Sequence, residues 1–446
     1  MKPRFVLIGD STVTDQSGWG RGFADRLTGA ATGVNMARNG RDSRSYLAEG
    51  HWEQALGVIK EDGTLDRTHL SERGAALFGG LVADRLRVVL PALSLLVTAA
   101  RRPSVQSPSG TAIRWTACLD QPASWYGGDE AIRIADNVLH YQRRTGGWPK
   151  NIDMATPLAP DEATRVAAGK GLADSTIDNG ATTTQTRYLA RVFAATGLPR
   201  FRDAVAAALD YLFSAELPAG GWPQYFPLRD DYSRLLTFND GATVRVLDLM
   251  GEVAAAKPGF TFVDAGVRRR AASSVERGTR VILASQVRAG GTLTGWCAQY
   301  DPSTLEPRGA RTYEHPSIDG RETVDVVRYL MRIERPAPAV VGAVEAAVRW
   351  LQGAKITGWR VVMRPEPGAP RGVDRVLVAD PAAPPLWARF YEIGTNRPIY
   401  SGRDGVIKYS LAEIEIERRT GYNWIDRFAA ELLEREYPAW SKRVGR

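Results

Sequence analysis

The feature that most constrains this chain is a motif written twice. "GGWPK" at 146–150 is followed by "IDNG" at 177–180, and "GGWPQ" at 220–224 is followed by "FNDG" at 238–241. Each acid-amide-Gly loop opens a helix-like run, "ATTTQTRYLARVFAATG" after the first and "ATVRVLDLM" after the second. In the first run Tyr188, Leu189, Val192 and Phe193 recur at helical spacing, and Gly197 is a stop signal. The pattern returns at 202–221, with Val205, Leu209, Leu212 and Phe213 on one face, and at 338–358, with Val341, Val344, Val348 and Leu351. Amphipathic helices alternating with Gly/Pro loops predict a mainly α domain whose hairpins form an α/α barrel or toroid. Two copies make an imperfect internal repeat rather than a regular array.

The pattern does not begin at the N-terminus. "RFVLIGDS" reads as a buried strand running into a loop, the habit of α/β folds. "TAARRPSVQSPSG" (98–110) is rich in Pro, Ser and Arg and reads as a linker. The expected organisation is therefore a small α/β segment at 1–100, a linker at 101–110 and the main domain at 111–446. The 446 residues suffice for that arrangement.

A formal charge of +8 and a pI near 9.5 favour an acidic partner. The basic residues are scattered rather than gathered in a tract, so no nucleic-acid partner is expected. "VVLPALSLLVTAA" (88–100) is too short to span a bilayer, so no membrane partner is expected either. The opening residues read as a strand and not as a signal peptide. Cys118 and Cys297 could pair or stay free, and neither reports the compartment.

The repeated loops have a plain reading and a functional one. Asp and Asn are favoured helix N-caps, and a single copy would be read that way. Two parallel copies raise the possibility of shared ligation, because Asp, Asn and carbonyl oxygens are hard ligands suited to Ca²⁺. The spacing is not that of an EF-hand, so such a site would be assembled from separate loops. Trp148 and Trp222 are either core residues or platforms for a sugar ring. Lys150 is either solvated or placed to hold an anionic sugar. Arg311 and Glu314 in "GARTYEHPSI" could form no more than a surface ion pair. "WARFYEIGTNRPIYSGRDG" (387–405) carries Arg389, Arg397 and Arg403 among aromatic rings, a composition able to grip carboxylates or to bridge segments.

Several of these stretches, with "AIRIADNVLHYQRRTGGWPKNID", "WCAQYDPSTLEP" and "RTYEHPSI", occur in order from about residue 111 to the C-terminus. Together they resemble the pectate lyases of polysaccharide lyase family 10. That resemblance implies an (α/α)₃-barrel, β-elimination on polygalacturonate and dependence on Ca²⁺. It places Asp178 and Asp240 at the calcium, Asn179 near substrate and Arg311 as the catalytic arginine. Lys150, Arg389 and Arg397 match basic positions for uronate carboxylates, and Trp148, beside Lys150, and Trp222 are counted with them as expected substrate-binding residues. It also implies a secreted or periplasmic enzyme acting on pectin, expected to be a monomer of endo type.

The chemistry suits those residue types. The C5 proton of a galacturonate is weakly acidic because its carboxylate is anionic; a cation neutralising that group stabilises the developing charge. A base must reach the C5–H. Arginine is ordinarily a cation, so a site crowded with positive charge and an alkaline optimum are expected.

"FVLIGDSTVTDQSGWG" and "NMARNGRDSRSY" resemble SGNH esterases of the rhamnogalacturonan acetylesterase type. The resemblance implies Ser11 as nucleophile, Asp66 and His69 of "DRTHL" as its partners, and Gly40 as an oxyanion donor. Only "GVIKEDGT" separates "EGHWEQAL" from "DRTHL", so the block that carries the second oxyanion donor is missing and the segment reads as a shortened remnant. Two further functions follow as alternatives: a pectin acetylesterase using Ser11, and a non-catalytic pectin-binding module.

Overall fold

The computed structural model describes Arg4–Leu7, Phe23, Thr32–Asn35 and residues 113–445. The chain divides into two compact units, Met1–Ala112 and Ile113–Arg446. In the first, strands β1 (Arg4–Leu7) and β2 (Thr32–Asn35) pair in parallel, Arg4 opposite Thr32 and Leu7 opposite Asn35. Parallel neighbours require a crossover connection, as α/β folds supply. Ser11, Gly40, Asp66, His69 and the linker 101–110 lie outside the described residues.

The second unit is built from helix hairpins. Its principal helices are α1 (Asp129–Tyr141), α2 (Pro160–Ala168), α3 (Thr183–Thr196), α4 (Pro199–Ala215), α5 (Ala242–Ala254), α6 (Ala265–Ser285), α7 (Gly320–Arg332) and α8 (Pro338–Gly353). Helices α3 and α4, α5 and α6, and α7 and α8 pack as successive pairs; α1, α3, α5 and α7 also pack side by side in that order. Local chemistry sets their ends. Gly197 takes a left-handed conformation (φ 68°) and returns its N–H to the Phe193 carbonyl, closing α3. Pro199 and Pro338 sit in first turns, where no N–H is needed. The Asp264 carboxylate accepts from Gly266 N (2.7 Å) and Val267 N (3.0 Å) to start α6. The faces expected from periodicity are buried: Tyr188, Leu189 and Val192 on α3, Val205, Leu209, Leu212 and Phe213 on α4, Val341, Val344, Val348 and Leu351 on α8.

The repeat is longer than its sequence trace. Trp148, Trp222 and Trp296 stand at equal intervals, and Trp387 is a fourth member. All four are buried, and each indole N–H donates to a backbone carbonyl: Val138 (2.8 Å), Leu212 (2.7 Å), Ile282 (2.7 Å) and Leu351 (2.8 Å). The backbone N–H groups of Thr176, Thr237 and Asp319 donate to the carbonyls of Trp148, Trp222 and Trp296 (3.0, 3.1 and 2.7 Å). Each following residue reaches the next copy: Ile177 N–H to Gln224 O, Phe238 N–H to Ala298 O and Gly320 N–H to Arg389 O. Lys150, Gln224, Ala298 and Arg389 therefore occupy equivalent places, two residues past each tryptophan. The doubled glycines have a steric cause. A Cβ on Gly146 (φ 95°) would lie 2.1 Å from the Ala207 carbonyl oxygen, and one on Gly220 (φ 100°) 2.6 Å from that of Arg277.

Small antiparallel sheets lie among the helices. β3 (Leu236–Thr237), β4 (Gln299–Tyr300) and β5 (Pro307–Arg308) form one. β6 (Ile318–Asp319) pairs with β9 (Phe390–Tyr391), which pairs with β10 (Pro398–Ser401). Between them β7 (Trp359–Pro365) and β8 (Val373–Ala379) make a hairpin, Trp359 opposite Ala379. Cys118 and Cys297 are both buried and unpaired, which settles the question left open by their number.

Candidate active site

The two acid-amide-Gly loops pack against each other just ahead of α3 and α5. Asn179 and Asp240 share one left-handed conformation, φ 51° and ψ 31°, which Asn and Asp tolerate through their short polar side chains. The backbone thus aligns Asn179 with Asp240, and Asp178 with Asn239. The sequence pairing of Asp178 with Asp240 is off by one residue: the acid and the amide have changed places between copies. The inner position is buried in both, as Asp178 and Asn239, and the outer position opens to solvent.

In the first loop the Asp178 carboxylate is paired with the Lys150 ammonium and accepts from Asn179 N–H (3.0 Å). Asn179 donates through Nδ2 to Asn151 Oδ1 (2.9 Å). Burial pushes the Lys150 ammonium down, but the bond to Asp178 outweighs it and the group is raised overall.

In the second loop Asp240 accepts from Arg321 Nη1 (2.6 Å) and from Asn239 Nδ2 (2.8 Å), and lies 3.7 Å from Arg389 Nη2. Burial alone would raise its carboxyl; Arg389 and Arg321 more than offset that and hold it below the usual range. Arg389 is buried. Its Nη2 donates to Glu322 Oε1 (3.0 Å) and Asn239 Oδ1 (3.2 Å), and its Nε is 3.5 Å from Asp319 Oδ2. Asp319 caps α7 through Arg321 N (2.8 Å) and Glu322 N (2.9 Å). Glu322 also accepts from Gly241 N (3.2 Å), tying α7 to the second loop. Burial, with Asp319 beside it, pushes the Glu322 carboxyl up to about 8; Asp319 is raised by burial as well.

Arg311 lies on the loop after β5. It forms a double bond pattern with Glu314, Nε to Oε2 at 2.8 Å and Nη2 to Oε1 at 2.5 Å. Tyr422 links this pair to the second loop. Its hydroxyl donates to Glu314 Oε1 (2.7 Å), and its ring lies 5.4 Å from the Arg311 guanidinium and 4.8 Å from that of Arg389. Burial raises the Tyr232 phenol, with Arg311 pulling the other way.

The structure thus gathers Lys150, Asp178, Asn179, Asp240, Arg311 and Arg389, and corrects other expectations. Trp148 and Trp222 have no exposed ring face; they are the core ties of the repeat and cannot stack on a sugar. Arg389 is enclosed by three carboxylates and an amide, so it is not a free receptor for a uronate. Arg397 lies 3.5 Å from the Tyr409 ring centre and belongs to another part of the surface. Arg403 pairs with Glu417 (3.1 Å). Burial lowers Arg311, but Glu314 outweighs it and raises the guanidinium above its ordinary value, the opposite of the expected easing toward a neutral form. Asp319, Arg321, Glu322 and Tyr422 went unrecognised in the sequence. The even interval from Trp148 to Trp296 is the signal that leads to the third loop, where "SIDGRE" replaces the acid-amide-Gly pattern.

The donor set is partly that of a hard cation. Asp178 and Asp240 present two carboxylates on adjoining loops, each already balanced by Lys150 or Arg321. Among the described residues no group of three or more His, Cys, Asp and Glu is placed to hold a metal. Two carboxylates are fewer than the six to eight oxygens a Ca²⁺ ion takes, so amide, carbonyl, substrate or water oxygens would have to complete a shell there.

Comparison with known proteins shows the class to which this helical domain belongs, that of the polysaccharide lyases. The family model for pectic acid lyase matches residues 142–433. The chain belongs to the pectic acid lyase family. It is similar to the family 10 polysaccharide lyase from Cellvibrio cellulosa, at 31% identity over 74% of this chain and 94% of that one, with a TM-score of 0.60. An aspartate-to-alanine mutant of that enzyme in complex with trigalacturonic acid matches at 31% identity, over 74% of this chain and 96% of that one, with a TM-score of 0.62. No curated protein matches the chain. No described helix is long and apolar enough to cross a membrane.

Proposed function

We propose that this chain is an endo-acting pectate lyase that cleaves α-1,4-polygalacturonate by calcium-assisted β-elimination and releases 4,5-unsaturated oligogalacturonates. The observation that carries the reading is the packing of the Asp178 and Asp240 loops against each other, with Arg311 joined to the second through Tyr422 and Arg389. The relative's complex with trigalacturonic acid supports an acidic galacturonide as substrate. The successive packed hairpins support an (α/α)₃-barrel, and the positive charge suits a polyanionic substrate. A secreted or periplasmic site and a monomeric state complete the proposal.

Lys150 and Arg321 hold the two acids in the free protein and yield them when an anionic substrate enters with its cation. Ca²⁺, bound by Asp178 and Asp240 with oxygens from substrate and water, would supply the charge that offsets the uronate carboxylate. Asn179, outermost on its loop, orients the sugar. Arg311, released by Glu314 and having given a proton to hydroxide at alkaline pH, takes the C5 proton; the C–H electrons form the C4=C5 double bond, the C4–O4 bond breaks and the departing O4 is protonated by water. The test follows absorbance of the unsaturated uronate on polygalacturonate. Arg311→Ala should lower kcat by about two to four orders of magnitude. A rate that does not climb from neutral to alkaline pH removes Arg311 as the base. Calcium-dependent quenching of intrinsic fluorescence by trigalacturonate, lost in Asp240→Ala, tests the metal without turnover.

For residues 1–100 we keep the shortened esterase reading, which the parallel β1–β2 pair supports. Acetate release from acetylated pectin that survives Ser11→Ala would exclude it.

A further inference from the structure

The hairpin β7–β8 and the segment after β10 enclose a cleft of about 610 Å³ that the proposed reaction does not use. Trp359 and Tyr409 line it and are 43% and 42% exposed, although both are large rings. Met363, Val406 and Ile407, on the same hairpin and segment, are exposed too. Water-facing rings of this size are costly unless something covers them.

Cations accompany the rings. Arg364, Arg375 and Arg419 line the cleft, with Asp374 as the one carboxylate. Arg419 and Asp374 neutralise each other through two bonds, 2.8 and 2.7 Å. Arg375 donates only to neutral oxygens, Tyr422 O and Asn423 Oδ1 (both 3.1 Å), and its buried Nε has no hydrogen-bond partner among the described residues. Burial and the neighbouring Arg371 outweigh the pull of Asp426 and depress its guanidinium. Among the described residues no side-chain hydrogen bond or ion pair is found for Arg364, whose backbone lies in the hairpin opposite Asp374. Arg397, expected from sequence to grip a uronate, lies against the Tyr409 ring at this rim. The lining therefore combines the Arg364 and Arg375 guanidinium groups with the Trp359 ring and with the Tyr409 ring, one face of which Arg397 covers. Guanidinium recognises carboxylate in a planar, bidentate manner, and aromatic faces cover the apolar side of a pyranose ring.

We infer that this cleft is a second, non-catalytic binding site for an acidic oligosaccharide of the uronate class. It rests on the proposed function for the choice of polymer. It is distinct from the Asp178–Asp240 site, yet Arg375 holds the backbone of Tyr422, whose ring faces Arg311 and Arg389. A polymer seated in the cleft keeps the chain on its substrate between cleavage events, an advantage that short substrates cannot use.

The experiment is isothermal titration calorimetry of a short oligogalacturonate against the full chain carrying Arg311→Ala to block turnover. The expected stoichiometry is two per chain, falling to one when Trp359→Ala and Arg364→Ala are added. In the active protein the same pair should leave kcat on a trimer unchanged and lower the rate on dilute long polygalacturonate several-fold. Circular dichroism checks that the variants fold; a pair that fails to fold is replaced by Arg364→Glu, which should weaken the second site about tenfold, roughly 1.4 kcal/mol. One site per chain in both backgrounds, with lyase activity present, overturns this inference alone. Equal binding of a neutral oligosaccharide at the second site overturns the uronate assignment. No binding at either site, with no lyase activity, overturns this inference and the proposed function together.

Discussion

The Asp178 loop and the Asp240 loop share a backbone and differ in what they do with it. Asn179 and Asp240 have the same φ and ψ, and Asp178 and Asn239 occupy the same inner position. In the first copy the acid is inside and meets one cation, Lys150, which is partly open to water. In the second the amide is inside, the acid is outside, and Arg321, Arg389, Asp319 and Glu322 form a network around them. A one-residue exchange of side chains has turned a local pair into a buried assembly. The scaffold fixes where a charge points; the neighbouring copies decide what that charge costs.

The largest break in this comparison comes from the buried cation. Arg389→Met would take the buried cation from beside Asp319 and Glu322 and leave Arg321, 3.3 Å from Glu322, to balance both, and should destabilise the fold by about 3–5 kcal/mol. Lys150→Met removes the equivalent residue of the first copy, where the cation is partly open to water although Asp178 is buried, and should cost less, about 1–3 kcal/mol. Denaturant unfolding of the two variants measures the contrast, and equal losses would show that the copies are energetically alike.

A second contrast is in pH. The Glu322 carboxyl is raised from an ordinary 4.5 to about 8 in the folded chain, so folding takes up a proton between those values. The contribution to stability is full below about 4.5 and is lost as pH rises through about 8. The slope cannot exceed one proton, about 1.4 kcal/mol per pH unit. Glu322→Gln should flatten unfolding free energy against pH across that window. An unchanged slope would place the titration elsewhere.

The smallest effect sharpens the link between Arg311 and the second copy. Tyr422→Phe keeps the ring beneath both guanidinium groups and removes the bond to Glu314, worth about 1 kcal/mol. Its expected signature is a several-fold change in kcat with KM little altered, and a shifted pH–rate profile. A change in KM alone would make Tyr422 a substrate contact instead.

Much of the scaffold could be read from the chain. Helical periodicity located the buried faces of α3, α4 and α8, because one-sided burial imposes its period on sequence. The doubled glycines flagged real loops, since only glycine fits against the Ala207 and Arg277 carbonyls. The tryptophans misled: a ring beside Gly and Pro in a loop looks exposed, and only the tertiary fold shows the indole N–H reaching a helix carbonyl. The third and fourth copies escaped notice because "TGWCA" and "PLWAR" keep the tryptophan and lose the flanking pattern. Arg389 carried the right charge but the wrong availability, for burial and partners are properties of packing. Tyr422 had no local mark at all, as it acts between segments far apart in the chain.

The order in which α3, α5 and α7 stand side by side has an electrical consequence. Each begins at one of the repeated loops, so three helix N-termini start from neighbouring loops; at α7 two of the first N–H groups are already taken by the Asp319 carboxylate. Each helix start carries roughly half a positive charge, confined to its first turn. Unlike side chains, these partial charges do not titrate and cannot swing away. An incoming polyanion therefore meets a fixed positive field beneath the movable Lys and Arg groups. Asp319 is the counterweight at α7 itself, and Asp178 and Asp240 stand in the loops that lead into the other two helices.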